Sequence, residues 1–230
     1  MRIEKYLSER GIMSRREAKK FLQEGRIFVN NKRVSPGEKF NPKTEILSFD
    51  EEIKKELKEK ETILVYKPRG VLSSKDTGTG KNIFDVFPQF SHLNTVGRLD
   101  KESEGLILLS NDGMVTKAIT GRDHLIEKEY VVTVREDVLP FMLKKMSQGI
   151  QLEDGQTLPT KTKKLSKNSF SITLREGRKH QIRRMANACN LTVLSLKRIR
   201  INTISAPKML PGNFKKITKE QLEDIKKVLQ

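Results

Sequence analysis

Residues 96–113 read VGRLDKESEGLILLSNDG. The run "LILL", residues 106–109, is as apolar as any in the chain, and a carboxylate, Asp100, stands ahead of it directly after an Arg and a Leu, with Glu102 and Glu104 between. A short apolar run bounded by Gly105 before it and by Ser-Asn-Asp-Gly after it reads as a buried strand that ends in a turn. In that reading Asn111 and Asp112 are structural. A carboxylate on the loop entering such a strand would sit in a partly desolvated cleft, where it costs energy unless a cation or hydrogen-bond donors compensate it. The residues alone leave two readings of Asp100: a turn cap or partner of Arg98, or a carboxylate set up for chemistry.

On either side of this stretch the pattern is one of strands with intervening helices. "TILVY" at 62–66 is a second buried-strand run, stopped by "KPRG". "EYVVTV" and "LTVLSLKRIRI" supply further strands, and "SFSITLREG" alternates Phe170, Ile172 and Leu174 inward. Helices are predicted at "VTKAIT", "VLPFMLKKMSQG" and "HQIRRMANAC". The class is therefore α+β, with a largely antiparallel mixed sheet flanked by helices around a central cleft.

The first 50 residues have a different character. Ser14 and Glu17 in "SRREAKKFLQEG" form a capping box and Gly25 supplies the stop, which predicts a helix over 15–24. Ala18, Phe21 and Leu22 share one face of it, and Arg15, Arg16, Lys19 and Lys20 crowd the rest. "IEKYLSERG" reads as a shorter helix with Ile3, Tyr6 and Leu7 inward, and "RIFVNNKRV" as a hairpin turning at Asn30 and Asn31. The mixed-charge run 51–61 reads as a linker, helical in part, so the division is 1–50, 51–61 and 62–230.

Charge points to the partner. The chain carries 46 Lys and Arg against 29 Asp and Glu, a net +17 over 230 residues. Residues 162–216 hold 14 Lys or Arg and one acid, Glu176. A basic face kept only for solubility would interleave acids, as 51–61 does, so this clustering favours a polyanion, and nucleic acid above others. Cys189 is the only cysteine, which leaves no internal disulfide and no thiolate cluster, and the three His at 92, 124 and 180 lack metal-site spacing. No metal is expected. No apolar run approaches the roughly 18 residues of a membrane span, and "MRIEKYLSER" is not a signal peptide. A cytoplasmic protein that binds no membrane is expected. "DTGTGKN" at 76–82 imitates a phosphate loop, but Lys75 stands where that motif needs Gly and Asn82 where it needs a hydroxyl, so no nucleotide cofactor is expected.

Two resemblances sharpen these readings. The segment "SRREAKKFLQEGRIFVNNKRV" with the helix before it resembles the S-four type RNA-binding domain, Asn31 standing where Gly is usual. "GRLDKESEGLILLSNDG" is similar over its whole length to the catalytic signature of the RsuA-type pseudouridine synthases, which pair such a domain with a synthase domain acting on ribosomal RNA. "VYKPRGVLSS", "EKEYVVTV", "LREGRKHQIRRM" and "LKRIRI" follow in that family's order.

The resemblance implies isomerisation of uridine to pseudouridine in ribosomal RNA with no cofactor required, and "HLIEKEY" slightly favours the large subunit. It implies that Asp100 is the essential carboxylate, that Arg183 is its cation partner, with Arg184 the neighbour open to confusion, and that Tyr130 stacks on the flipped base. Leu196 would pack beneath the base and Arg98 would meet phosphate or fill the space of the extruded nucleotide. Arg178, Lys179, Arg184 and Arg198 are further expected RNA contacts of this domain, as Arg15, Arg16, Lys19 and Lys20 are of the first. His180 receives no catalytic role, and a monomer is the default. Two alternatives stay open: a non-catalytic ribosomal RNA-binding or assembly protein, and a glycosidase pairing Asp100 with Glu104.

Overall fold

The computed structural model describes residues 1–10, 12–58, 60–75, 80–121 and 126–229. Most of the 76–82 segment and His124 lie outside the described residues.

Helices Ile3–Glu9 (α1) and Arg15–Gln23 (α2) open the chain. Ser14 Oγ accepts from the Glu17 N–H at 3.2 Å while the Ser14 N–H donates to Glu17 Oε2 at 2.7 Å, the reciprocal box predicted for α2. Strands Ile27–Val29 (β1) and Lys32–Arg33 (β2) pair around Asn30 and Asn31, whose φ of 48° and 63° are the two left-handed positions of a tight hairpin. Leu47–Phe49 (β3) takes the other edge of β1. The charged run is a helix, Glu51–Lys58 (α3), and its Ile53 is fully buried in one core with Ile3, Leu7, Phe21, Leu22 and Ile27. Arg26 fixes its start, donating from Nε to Asp50 Oδ2 at 2.6 Å. A cut after residue 50 would strip this core of Ile53, so the first module packs as a unit through α3.

The second module contains Thr62–Lys67 (β4), Ile83–Val86 (α4), Asn94–Val96 (β5), Glu104–Ser110 (β6) and Gly113–Thr120 (α5). Lys128–Val134 (β7), Pro140–Ser147 (α6), Gln151–Leu152 (β8), Gly155–Gln156 (β9), Lys161–Ser166 (β10) and Ser169–Leu174 (β11) follow. Gln181–Asn187 (α7), Val193–Ile201 (β12), Ile204–Ser205 (β13), Phe214–Lys216 (β14) and Lys219–Lys227 (α8) complete it. The main sheet runs β10-β11-β7-β12-β6-β4-β14, with β13 on β12 and β5 on β6. Its pairings are antiparallel except β12 against β6.

That parallel seam explains the opening stretch. β6 is central and covered on both faces: Leu106 and Leu108 join a core with Val115, Ala118 and Ile119 of α5, and Ile107 and Leu109 join one with Ile83 and Phe84 of α4. A strand buried on both sides needs a continuous apolar run rather than alternation. Asp112, 1 % exposed, then caps α5 by accepting from the Met114 N–H at 2.9 Å, and Lys226 Nζ of α8 closes on its other oxygen at 2.6 Å. Asn111 accepts from the Glu61 N–H at 2.7 Å. Both residues are structural, as their turn chemistry indicates. The other half of the sheet, β7, β11 and β12, packs Val132, Phe170, Ile172 and Leu196 against Leu143 and Met146 of α6 and Ile182 and Met185 of α7.

Candidate active site

The two halves of the sheet meet at a cleft of about 910 Å³, and the loop carrying Asp100 forms one wall. That loop is held from several directions. Ser73 Oγ donates to the Leu99 carbonyl at 2.8 Å and accepts from the Leu99 N–H at 3.1 Å. The Gly70 N–H donates to the Lys101 carbonyl at 2.8 Å, and the Ser103 N–H to the Asp100 carbonyl at 3.0 Å. Lys67, at the end of β4, is fully buried and donates to the carbonyls of Val71 at 2.7 Å, Pro68 at 2.9 Å and Lys101 at 3.4 Å. Burial pushes its ammonium down to about 8, opposed by the charges of Asp100, Glu102 and Glu104. Lys67 thus ties the loop to β4 and places a cation behind the carboxylates. The sequence pattern assigns this lysine of "VYKPRG" no role, although a lysine closing a wholly buried strand is the available signal.

Asp100 is about one-third exposed and faces the cleft. Tyr130 on β7 stands opposite, paired across β12 with Arg198 and across β11 with Ile172, and Leu196 lies one pair further along the same face. An aromatic ring, a leucine and a carboxylate therefore line one concavity. Its volume falls within the range of small-ligand sites and suits one nucleotide turned out of its stack.

The cation expected beside Asp100 lies elsewhere. Arg183 does not meet Asp100: its Nη2 donates to the Glu102 carbonyl at 3.1 Å and its Nη1 to the Val193 carbonyl at 3.4 Å, fastening the far side of the loop to β12. Glu102 in turn holds Arg69 Nε at 2.9 Å. The side chain beside Asp100 is His180, with Nε2 at 3.5 Å from Oδ1. His180 is left-handed at φ 51°, which swings its ring off the start of α7 and toward the loop. Arg184 is bidentate to Asp154, at 2.8 and 3.0 Å. Arg178 donates to the carbonyls of Gly155 and Gln156 and to Glu176, so its donors hold the β8–β9 hairpin. Arg178 lines the cleft, Arg184 is held by the cleft residue Asp154, and both are engaged with protein. Arg98 and Lys179 are exposed there, and Arg198 is buried at 3 % on the floor. On α2, Arg15, Arg16, Lys19 and Lys20 are all exposed, with Lys20 also 3.8 Å from Glu24. Glu104 accepts from Tyr66 Oη at 3.0 Å, which engages the second carboxylate that the glycosidase alternative needs. Among the described residues no three His, Cys, Asp or Glu side chains are grouped to hold a metal ion.

Residues 61–188 match the family model described as RNA pseudouridylate synthase. The chain belongs to that family. Residues 1–46 of this synthase match the S4 domain model. It is 35 % identical over 233 residues to the dual-specificity RNA pseudouridine synthase RluF of Escherichia coli (strain K12), covering all of this chain and 80 % of that relative. It is 32 % identical over 236 residues to the ribosomal large subunit pseudouridine synthase B of Bacillus subtilis (strain 168), covering 98 % and 95 %. A crystal structure of a pseudouridylate synthase superposes with a TM-score of 0.72 at 26 % identity over 98 % of this chain and 99 % of that one. The synthase is α+β, as its strand and helix pattern indicates, and the RNA partner read from its charge accords with both domain matches. No helix among the described residues is long and apolar enough to cross a membrane.

Proposed function

We propose that this synthase isomerises a uridine of ribosomal RNA, with large-subunit RNA the favoured substrate, and that Asp100 carries the reaction. The observation behind this reading is the placement of Asp100, on a loop fastened by Ser73, Lys67 and Gly70, across one cleft from Tyr130 and Leu196. The reaction breaks the bond from sugar C1′ to N1, turns the uracil, and joins C5 to C1′. C5 loses a proton, N1 gains one, and no atom or electron is exchanged with a cofactor. A fixed carboxylate that acts on the sugar or base supplies the chemistry, and a ring that stacks on the extruded uracil supplies the binding. The favoured subunit is supported by the name of the Bacillus subtilis relative. In this reading the module through α3 grips structured RNA, residues 62–230 perform the isomerisation, and the protein works in the cytoplasm as a monomer.

Purified protein incubated with unmodified ribosomal RNA labelled at C5 of uridine is expected to release tritium while the RNA mass, label exchange apart, stays constant. Pseudouridine-specific derivatisation should then mark the product. A hydrolase would lose a base, and a binding protein would leave every uridine unchanged.

The first module gives a separate test. Arg16, Lys19 and Lys20 are exposed on a helix whose other face is packed. Neutralising all three is expected to weaken RNA binding and flatten its salt dependence by up to about three units of slope. The rate at saturating RNA should be unchanged. Filter binding at several salt concentrations with single-turnover tritium release would check both halves, and a fallen rate with an intact slope would contradict the assignment.

A further inference from the structure

We propose that Arg198 forms, on the floor of the cleft, a receptor for the negative charge that uracil carries once it is detached from the sugar, with Lys128 adding to its field. This inference rests on the assignment of the reaction to the Asp100 cleft.

Arg198 is one of the few charged side chains that the fold buries, at 3 % exposure. Its Nε is fixed by donation to the Leu106 carbonyl at 2.6 Å, and its buried Nη2 has no hydrogen-bond partner. No carboxylate lies within ion-pair distance of it among the described residues, whereas Arg200, two residues on, holds both Glu127 and Glu129. A buried cation with an unused donor is costly for a fold to keep. This one lines the cleft and pairs across the sheet with Tyr130, the ring placed to stack on a base. Ser103, whose buried Oγ also lacks a partner, lines the same cleft. Lys128 precedes Tyr130 by two residues on β7, so the strand period puts it on the same face, and it too lines the cleft. Its Nζ has one long contact, 3.3 Å to the Ile126 carbonyl, and burial together with Arg198 pushes its ammonium down to about 8. The floor is thus cationic, desolvated and incompletely satisfied.

The chemistry identifies what completes it. When the C1′–N1 bond breaks, its electron pair leaves with the base, and the charge spreads over N1, O2 and O4. A fixed donor under the base strengthens as that charge develops, which lowers the barrier rather than merely tightening binding. A phosphate carries its charge throughout the reaction and would gain no such advantage. The exposed Arg98 and Lys179 at the rim suit phosphates, whereas Arg198 lies beneath the place for the base.

The test compares Arg198→Met, Arg198→Lys and Lys128→Met with the wild-type protein. It uses single-turnover tritium release from C5-labelled ribosomal RNA at saturating protein, filter binding and thermal melting. Arg198→Met is expected to lose about a hundredfold or more in rate with RNA affinity within about threefold. Arg198→Lys, which keeps the charge, should remain within about tenfold of wild type. The loss in Arg198→Met should persist from about pH 6 to about pH 9, because it concerns the leaving base. Recovery at the upper end would instead assign Arg198 to Asp100 and overturn the proposal. So would a rate for Arg198→Met within about threefold of wild type, or equal losses in the Met and Lys variants. If Arg198→Met fails to melt cooperatively, Lys128→Met decides: about a tenfold loss at unchanged affinity supports the subsite, and a wild-type rate overturns it. Absence of release by the wild-type protein would defeat the functional reading itself, a result distinct from any of these.

Discussion

Asp100→Asn is expected to leave no detectable pseudouridine, a loss of at least about a thousandfold in single-turnover rate. The substitution removes one charge and no volume, so the cleft keeps its shape. Stability should hardly change: the substitution weakens the 3.5 Å approach of a half-exposed His180, and exposed pairs of this kind contribute at most about 1 kcal/mol. The loop itself is held through its backbone, by Ser73, Lys67 and Gly70, and those bonds survive. RNA affinity should stay within about threefold, because binding rests on cations that the change does not touch. Tritium release, melting temperature and filter binding measured on one preparation would check the three expectations together. Residual turnover within about tenfold of wild type would remove Asp100 from the chemistry.

Gly105→Ala should be as damaging to the fold as Asp100→Asn is to the reaction. Gly105 sits at φ +111°, where L residues are strained, at the point where β6 runs parallel to β12. A Cβ there would overlap the Arg198 carbonyl oxygen and stand 2.7 Å from the Arg198 backbone nitrogen. These are backbone atoms of a central strand and cannot swing aside as the end of a long side chain would. Strain and overlap together should cost at least about 3 kcal/mol, a large fraction of the stability of a domain this size. Circular dichroism and denaturant titration would register it as a lowered midpoint or a protein that does not fold. A melting curve indistinguishable from wild type would show that the seam between β6 and β12 is looser than described.

What the sequence made legible was what neighbouring residues decide. The Ser14–Glu17 box, the Asn30–Asn31 hairpin and the structural part of Asp112 are set by side chains within three residues of the backbone they bond. The "LILL" run announced a buried strand, and the structure covers it on both faces. Other features depended on partners far along the chain. Arg183 reaches the Glu102 carbonyl across 81 positions and Arg198 reaches the Leu106 carbonyl across 92, and no local pattern encodes either meeting. The expected Arg183–Asp100 pair failed on that account, and the burial of Arg198 went unread. Ile53 was hidden by its setting, a single isoleucine in a run of charge that read as a linker. Lys67 was hidden by its type, since lysines are rarely fully buried and this one is kept by three carbonyls.

The central claim is that this chain converts a ribosomal RNA uridine to pseudouridine through Asp100. The most direct measurement is a pseudouridine map of total ribosomal RNA from a strain lacking the gene, complemented with the wild-type or the Asp100→Asn protein. The account predicts that a site of large-subunit RNA loses its pseudouridine on deletion, regains it with the wild-type protein and stays unmodified with Asp100→Asn expressed to the same level. Full modification restored by Asp100→Asn, or a map that deletion leaves unchanged, would contradict it.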